Sequence, residues 1–128
     1  MKPSTFKSGY TLVIGGPNFV PEDFLRDSPL KPRVIHRGDT YQNDQIADES
    51  WLEWSDIHDG SYPLNAGWEA MDFIRENRDA LFRLSRFPGI TGGSLNFFGD
   101  AKSCCLEFKQ DDIALLHALS MSISIVPY

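Results

Sequence analysis

Ser120-Met121-Ser122-Ile123-Ser124-Ile125 alternates polar and apolar side chains without a break. A period of two belongs to a strand with one buried face, and it turns Met121, Ile123 and Ile125 inward. Such a strand is expected to be central or well paired, each buried side chain contributing roughly 1.5–3 kcal/mol. On that reading Ile123→Asp prevents folding. Immediately before it, Asp111 and Asp112 open a short helix that runs through Leu119. Further back, Leu95-Asn96-Phe97-Phe98 and Cys104-Cys105-Leu106-Glu107-Phe108 flank Gly99-Asp100-Ala101-Lys102. Two strands around a short Gly-containing connection predict an antiparallel hairpin.

The other end of the chain repeats the theme. Tyr10-Thr11-Leu12-Val13-Ile14, bounded by Gly9 and by Gly15-Gly16-Pro17-Asn18, reads as a strand. Pro21-Glu22-Asp23 starts a helix that Ser28-Pro29 stops. Arg33-Val34-Ile35-His36 is a second strand, closed by Gly38-Asp39. Residues 40–49 are polar and aperiodic, hence a loop. Trp51-Leu52-Glu53-Trp54-Ser55 is a third strand, ended by Asp59-Gly60 and Pro63. Asn65 then caps a long helix to about Leu84, with Trp68, Met71, Ile74, Leu81 and Leu84 on one face, and Pro88-Gly89 breaks it. The order is β-α-β-β-α-β-β-α-β. It predicts one α+β domain over residues 1–128: a single, mostly antiparallel sheet with helices packed on one face.

Hydrophobic residues at 41% and charged residues at 23% describe a folding chain rather than a disordered one. No run approaches the roughly 18 apolar residues of a membrane span, and Met1–Lys7 lacks the apolar core of a signal peptide. A cytoplasmic location is the expectation, with no membrane partner. Cys104 and Cys105 are adjacent, so a disulfide between them would be strained, and both are expected to be reduced.

Charge is segregated. Residues 1–37 carry six basic and three acidic side chains, and residues 75–128 carry six of each. Between Gly38 and Ile74 lie nine acids and no Lys or Arg: Asp39, Asp44, Asp48, Glu49, Glu53, Asp56, Asp59, Glu69 and Asp72. That sign disfavours direct binding of nucleic acid; the run reads as a solvated acidic loop, the commonest fate of such a stretch, or as a docking surface for a basic protein.

Catalytic and metal-ligating signals are weak. His36, His58 and His117 show no close ligand pair of the zinc type. His58-Asp59 lies in a turn-rich stretch, where neighbours seldom face each other, and His117 is expected where helix meets sheet. Gly15-Gly16-Pro17-Asn18 lacks the phosphate-loop pattern, and Pro17 removes a backbone donor. Gly92-Gly93 marks a bulge or close packing, and Arg37-Gly38-Asp39 reads as a turn. Asp44, Asp48 and Glu49 do not follow calcium-loop spacing. No cofactor and no metal are implied. Trp51 and Trp54 stand three apart on one strand and so face opposite sides; one of them, among Asp48, Glu49, Glu53 and Asp56, is a candidate interface anchor.

Tyr10–Asn18, Pro21-Glu22-Asp23, Leu30-Lys31-Pro32-Arg33 with His36-Arg37-Gly38-Asp39, the Trp51–Ser55 strand and the closing Met121–Tyr128 together resemble the bacterial family called domain of unknown function 4279. The resemblance implies an α+β fold without assigned catalytic residues. Small acidic proteins of this kind also look like immunity proteins, which block a cognate toxin that is often a basic nuclease. The expected function is therefore non-enzymatic: neutralisation of a toxin or other basic protein through Asp39, Asp44, Asp48, Glu49, Trp51, Glu53, Trp54, Asp56 and Asp59. The alternative is a small enzyme or ligand-binding domain with a pocket near His36, Asp39 and His58.

Overall fold

Strand β1, Lys7–Gly16, carries the apolar alternation Tyr10, Leu12 and Ile14, and the fold is built outward from it. A computed structural model describes residues 7–59, 66–99 and 107–127. The elements that follow are α1 (Pro21–Leu25), β2 (Arg33–Ile35), β3 (Ser50–Asp59), α2 (Ala66–Glu76), α3 (Arg78–Ser85), β4 (Gly92–Gly99), α4 (Gln110–Ala118) and β5 (Met121–Pro127). They form one five-stranded sheet in the order β2-β3-β1-β4-β5. The architecture is α+β. No helix among the described residues is long and apolar enough to cross a membrane.

The helices cover one face. Tyr10, Leu12 and Ile14 are buried there with Leu52 of β3 and Leu95 and Phe97 of β4. Above them sit Phe24 of α1, Ala70, Met71 and Ile74 of α2, Leu81 and Leu84 of α3, and Leu116 of α4. Phe24 meets the edge of Phe87 at 5.4 Å between ring centroids, while the Arg83 guanidinium lies 4.9 Å above its ring. Both contacts tie the five-residue α1, too short to be stable alone, to the end of α3. The long helix expected from residue 65 to 84 is interrupted. Asn77 returns its side-chain amide to the Phe73 carbonyl at 2.8 Å, and α3 begins afresh beyond it. Met71, Ile74, Leu81 and Leu84 are buried as expected, but Trp68 is 47% exposed, because Ala70, Met71 and Ile74 define the buried stripe of α2.

Three other expectations give way. β4 has β1 along one edge and β5 along the other, so neither edge is free for a hairpin partner; of the second arm, Cys104–Leu106 lies outside the described residues, whereas Glu107 and Phe108 are not in a strand. The sheet is mixed: β1–β3, β1–β4 and β2–β3 are antiparallel, but β4 and β5 run parallel, as the α4 crossover between them requires. Finally, β5 is well paired, along its whole length with β4, but among the described residues it stands at the edge of the sheet and not at its centre. Its register places Ile123 beside Leu95 and Ile125 beside Phe97, on the core face as the alternation demands. The helical layer stops short of them, leaving Ile123 41% and Ile125 59% exposed, so an acid at Ile123 no longer implies unfolding.

Candidate functional site

Among the described residues no helix covers the face opposite the helical layer, and strand register decides what it displays. Ile35, Trp51 and Gly15 form its first row; Arg33, Glu53, Val13, Ser94 and Ser122 the second; Ser55, Thr11, Asn96 and Ser124 the third; Ile57, Gly9 and Phe98 the last. Aromatic and aliphatic side chains thus flank a band of hydroxyls and an amide. Within the band, the Thr11 and Ser55 hydroxyls are 3.3 Å apart, and the Asn96 amide donates to Ser94 Oγ at 3.1 Å. Arg33 Nη1 lies 3.4 Å from Glu53 Oε2 at the rim.

The loop between β2 and β3 overhangs one end of this face. It is pinned by a Thr40–Ile46 bridge, by the Gly38 N–H donating to the Ala47 carbonyl, and by the Ala47 N–H donating to the Asp39 carbonyl, both at 2.8 Å. Asn43 and Asp44 turn it with positive φ values of 54° and 60°, a conformation that short polar side chains tolerate. The loop lays Tyr41 edge-on against Trp51, with centroids 5.1 Å apart. Gly15 makes room beside Trp51, since a Cβ there would lie 2.5 Å from the Trp51 Cβ. The Trp51 Nε1–H is buried without a hydrogen-bond partner. Between loop and sheet lies a hollow of about 630 Å³, lined among others by Thr11, Arg33, Tyr41, Trp51, Glu53 and Asn96.

The acidic residues singled out in the sequence are not gathered on this face. Trp51 and Glu53 belong to it, and Glu49 lines a smaller hollow beside Gly15 and Gly93. Trp54 and Asp56 point to the helix side, Trp54 packing against Phe73 at 6.0 Å. Asp56 stands opposite Tyr10, whose phenol is pushed up to about 12 by burial and then by the charges of Asp56, Glu69 and Glu76. Asp44 and Asp48 are exposed in the loop, while the Asp39 carboxylate accepts the His36 N–H at 2.8 Å and holds the Arg37-Gly38-Asp39 turn. The side chain of Asp59 lies outside the described residues. Period-two alternation therefore distributes the described residues of the acidic segment between two faces and a loop.

Compared with known proteins, the chain matches no family model, no curated protein and no solved structure. Its chemistry must be read from its own geometry. Among the described residues no cluster of three or more His, Cys, Asp or Glu is arranged to hold a metal. The Gly15–Asn18 turn is a packing device: a Cβ on Gly16 would come within 2.0 Å of the Gly89 carbonyl oxygen. His117 is exposed at the end of α4 rather than held between helix and sheet.

His36 and Asp39 are neighbours, Nδ1 to Oδ2 3.6 Å, but His58 is not with them. Ile35 pairs with Trp51, whereas His58 pairs with Ser8 at the far end of β3. The partner of His36 that the sequence did not suggest is Glu22 on α1, which meets Nε2. Through that hydrogen bond the His36 pKa is raised above 6.5 and that of Glu22 lowered below 4.5. The histidine's contribution is complete below pH 6.5 and lost as pH rises through its raised value; the carboxylate's is complete above pH 4.5 and lost as pH falls through its lowered value. The contact is thus strongest between them. All three side chains are well solvated, so the effect is small. Thermal midpoints measured between pH 5.5 and 8 should fall slightly with rising pH in the wild type, and His36→Gln should remove that slope. A slope unchanged in the variant would assign the dependence elsewhere.

Proposed function

We propose that this protein is a non-catalytic binding protein of the inhibitor or immunity type, which takes a basic protein partner on its uncovered sheet face. The observation that carries the reading is the Trp51–Tyr41 pair on that face, with Glu49 and Glu53 beside it. A partly buried aromatic framed by carboxylates suits a desolvated anchor surrounded by charge that steers the approach of a cationic partner. Arg33 is held by Glu53, so a partner's Arg or Lys competes for that carboxylate. The loop acids Asp39, Asp44 and Asp48 extend the field toward solvent. Trp54 and Asp56, turned to the helix side, take no part. The class of partner, a toxin, rests on the likeness of small acidic α+β proteins to immunity proteins.

The test is a titration with a Lys/Arg-rich peptide, followed through the three indole N–H resonances. Binding should shift the Trp51 signal and leave that of Trp54 in place. Glu49→Gln with Glu53→Gln should slow association and flatten its salt dependence, and Trp51→Ala should speed dissociation at least tenfold, while the fold is retained. The hollow with its hydroxyl band and unpartnered indole N–H favours a second reading, a small polar ligand. A panel of such compounds that raises the melting temperature and moves the Trp51 signal, when the basic peptide does neither, would replace the first reading by the second.

A further inference from the structure

The two edges of the sheet are unlike. Unprotected edges recruit other strands, and proteins blunt them by making them short, charged or covered. β2 is three residues long, carries Arg33, follows Lys31-Pro32 and adjoins the bridged loop. β5 is seven residues long and has no Asp, Glu, Lys or Arg. Among the described residues nothing pairs with its outer edge. Ile123 and Ile125 stand on it 41% and 59% exposed, and α4, which packs against β5, leaves Ile113 56% exposed.

We propose that β5 pairs antiparallel with β5 of a second copy, joining two sheets into one of ten strands. A two-fold axis sets each side chain near its own counterpart, so a charged edge would repel itself; β5 carries nothing to repel. Its alternation is self-complementary as well. With the axis at Ser124, Ile123 of each copy faces Ile125 of the other on the core side, and Ser124 meets Ser124 on the uncovered side. The same holds with the axis at Ile123, where Ser122 faces Ser124. A second copy supplies a strand of the same length with the same uncharged alternation. Seven residues at about 3.3 Å each give a ladder of roughly 23 Å. An axis perpendicular to the sheet keeps both uncovered faces on one side, with the two Trp51 sites at its far ends. The outer edge of β5 lies three strands from Trp51 on β3, so either proposal can fail alone.

Sedimentation or light scattering across the micromolar range should give twice the mass of one chain. Ile125→Lys should raise the dimer dissociation constant at least tenfold with an unchanged far-ultraviolet circular dichroism spectrum. Should that variant fail to fold, Ser124→Lys serves, because the side chain it replaces is exposed on the hydroxyl-lined face. A wild type that stays monomeric over the whole range, one that grows beyond the dimer, or lysine variants that dimerise as tightly as the wild type would each overturn the proposal. Peptide binding at Trp51 should be unaltered in the Ile125→Lys variant, whose side chain stands on the other face.

Discussion

Phe97→Ala is expected to cost about 4 kcal/mol, the range for deleting a fully buried phenyl ring. Phe97 is fully buried on β4, between Tyr10 of the central strand and Ile125 of the edge strand, and its ring meets Phe108 at 5.8 Å. The loss combines the transfer free energy of the ring with the void it leaves, which the rigid sheet beneath cannot close. A domain of this size has roughly 5–15 kcal/mol in hand, so the variant should fold but melt about 15 °C lower. Phe97→Leu, which keeps most of the volume, should lose about 1.5 kcal/mol or less. Urea unfolding measures both. A loss below about 1.5 kcal/mol for the alanine variant, at an unchanged denaturant slope, would mean that Phe97 is not packed as described.

Asp112→Ala is expected to cost about 3 kcal/mol. Asp112 occupies the first turn of α4 with only 3% of its side chain exposed. One carboxylate oxygen accepts the Lys109 N–H at 3.0 Å, satisfying a donor the helix cannot, and the other meets Arg75 of α2. Losing such a cap costs about 1 kcal/mol. The remainder comes from the ion pair, taken below the usual value for a buried pair because Arg75 is 44% exposed and reaches water and Asp72. Asp112→Asn can still accept the Lys109 N–H, so it should lose only about half as much. Equal losses for Ala and Asn would assign the whole effect to charge; a loss within about 0.5 kcal/mol for Ala would place Asp112 among ordinary surface residues. Because α4 is the crossover that makes β4 and β5 parallel, its loosening should also expose β5 to amide exchange first.

How far these features were legible can be followed residue by residue. Alternation in Tyr10–Ile14 and Met121–Ile125 marked both strands and told which side chains face the helices. The Trp51–Trp54 spacing placed the two indoles on opposite faces, as they are. Arg37-Gly38-Asp39 was a turn on sight, with Gly38 at a φ of +93°. Asp111-Asp112 located α4, though not the reach of Asp112 to Arg75, thirty-seven positions away. Of the candidate site, Trp51 and Glu53 were named from sequence; Tyr41, Thr11, Asn96 and the Glu22–His36 contact were not, because each depends on a neighbour brought in from another element.

Local order is written in periodicity, caps and turn residues, since these act within a few positions of the chain. By itself the sequence therefore located the five observed strands, the α+β class and the face each strand residue takes, while adding a strand at Cys104–Phe108 that Glu107 and Phe108 do not form and joining α2 to α3. Neighbour order in the sheet is a global choice among ways of burying those faces. Only the tertiary structure decided that β1 is central, that β4 has no edge left for a hairpin, and that β5 lies parallel at the rim with Ile123 and Ile125 half in water. Alternation states which way a side chain points; whether a helix waits there depends on where the layer above ends.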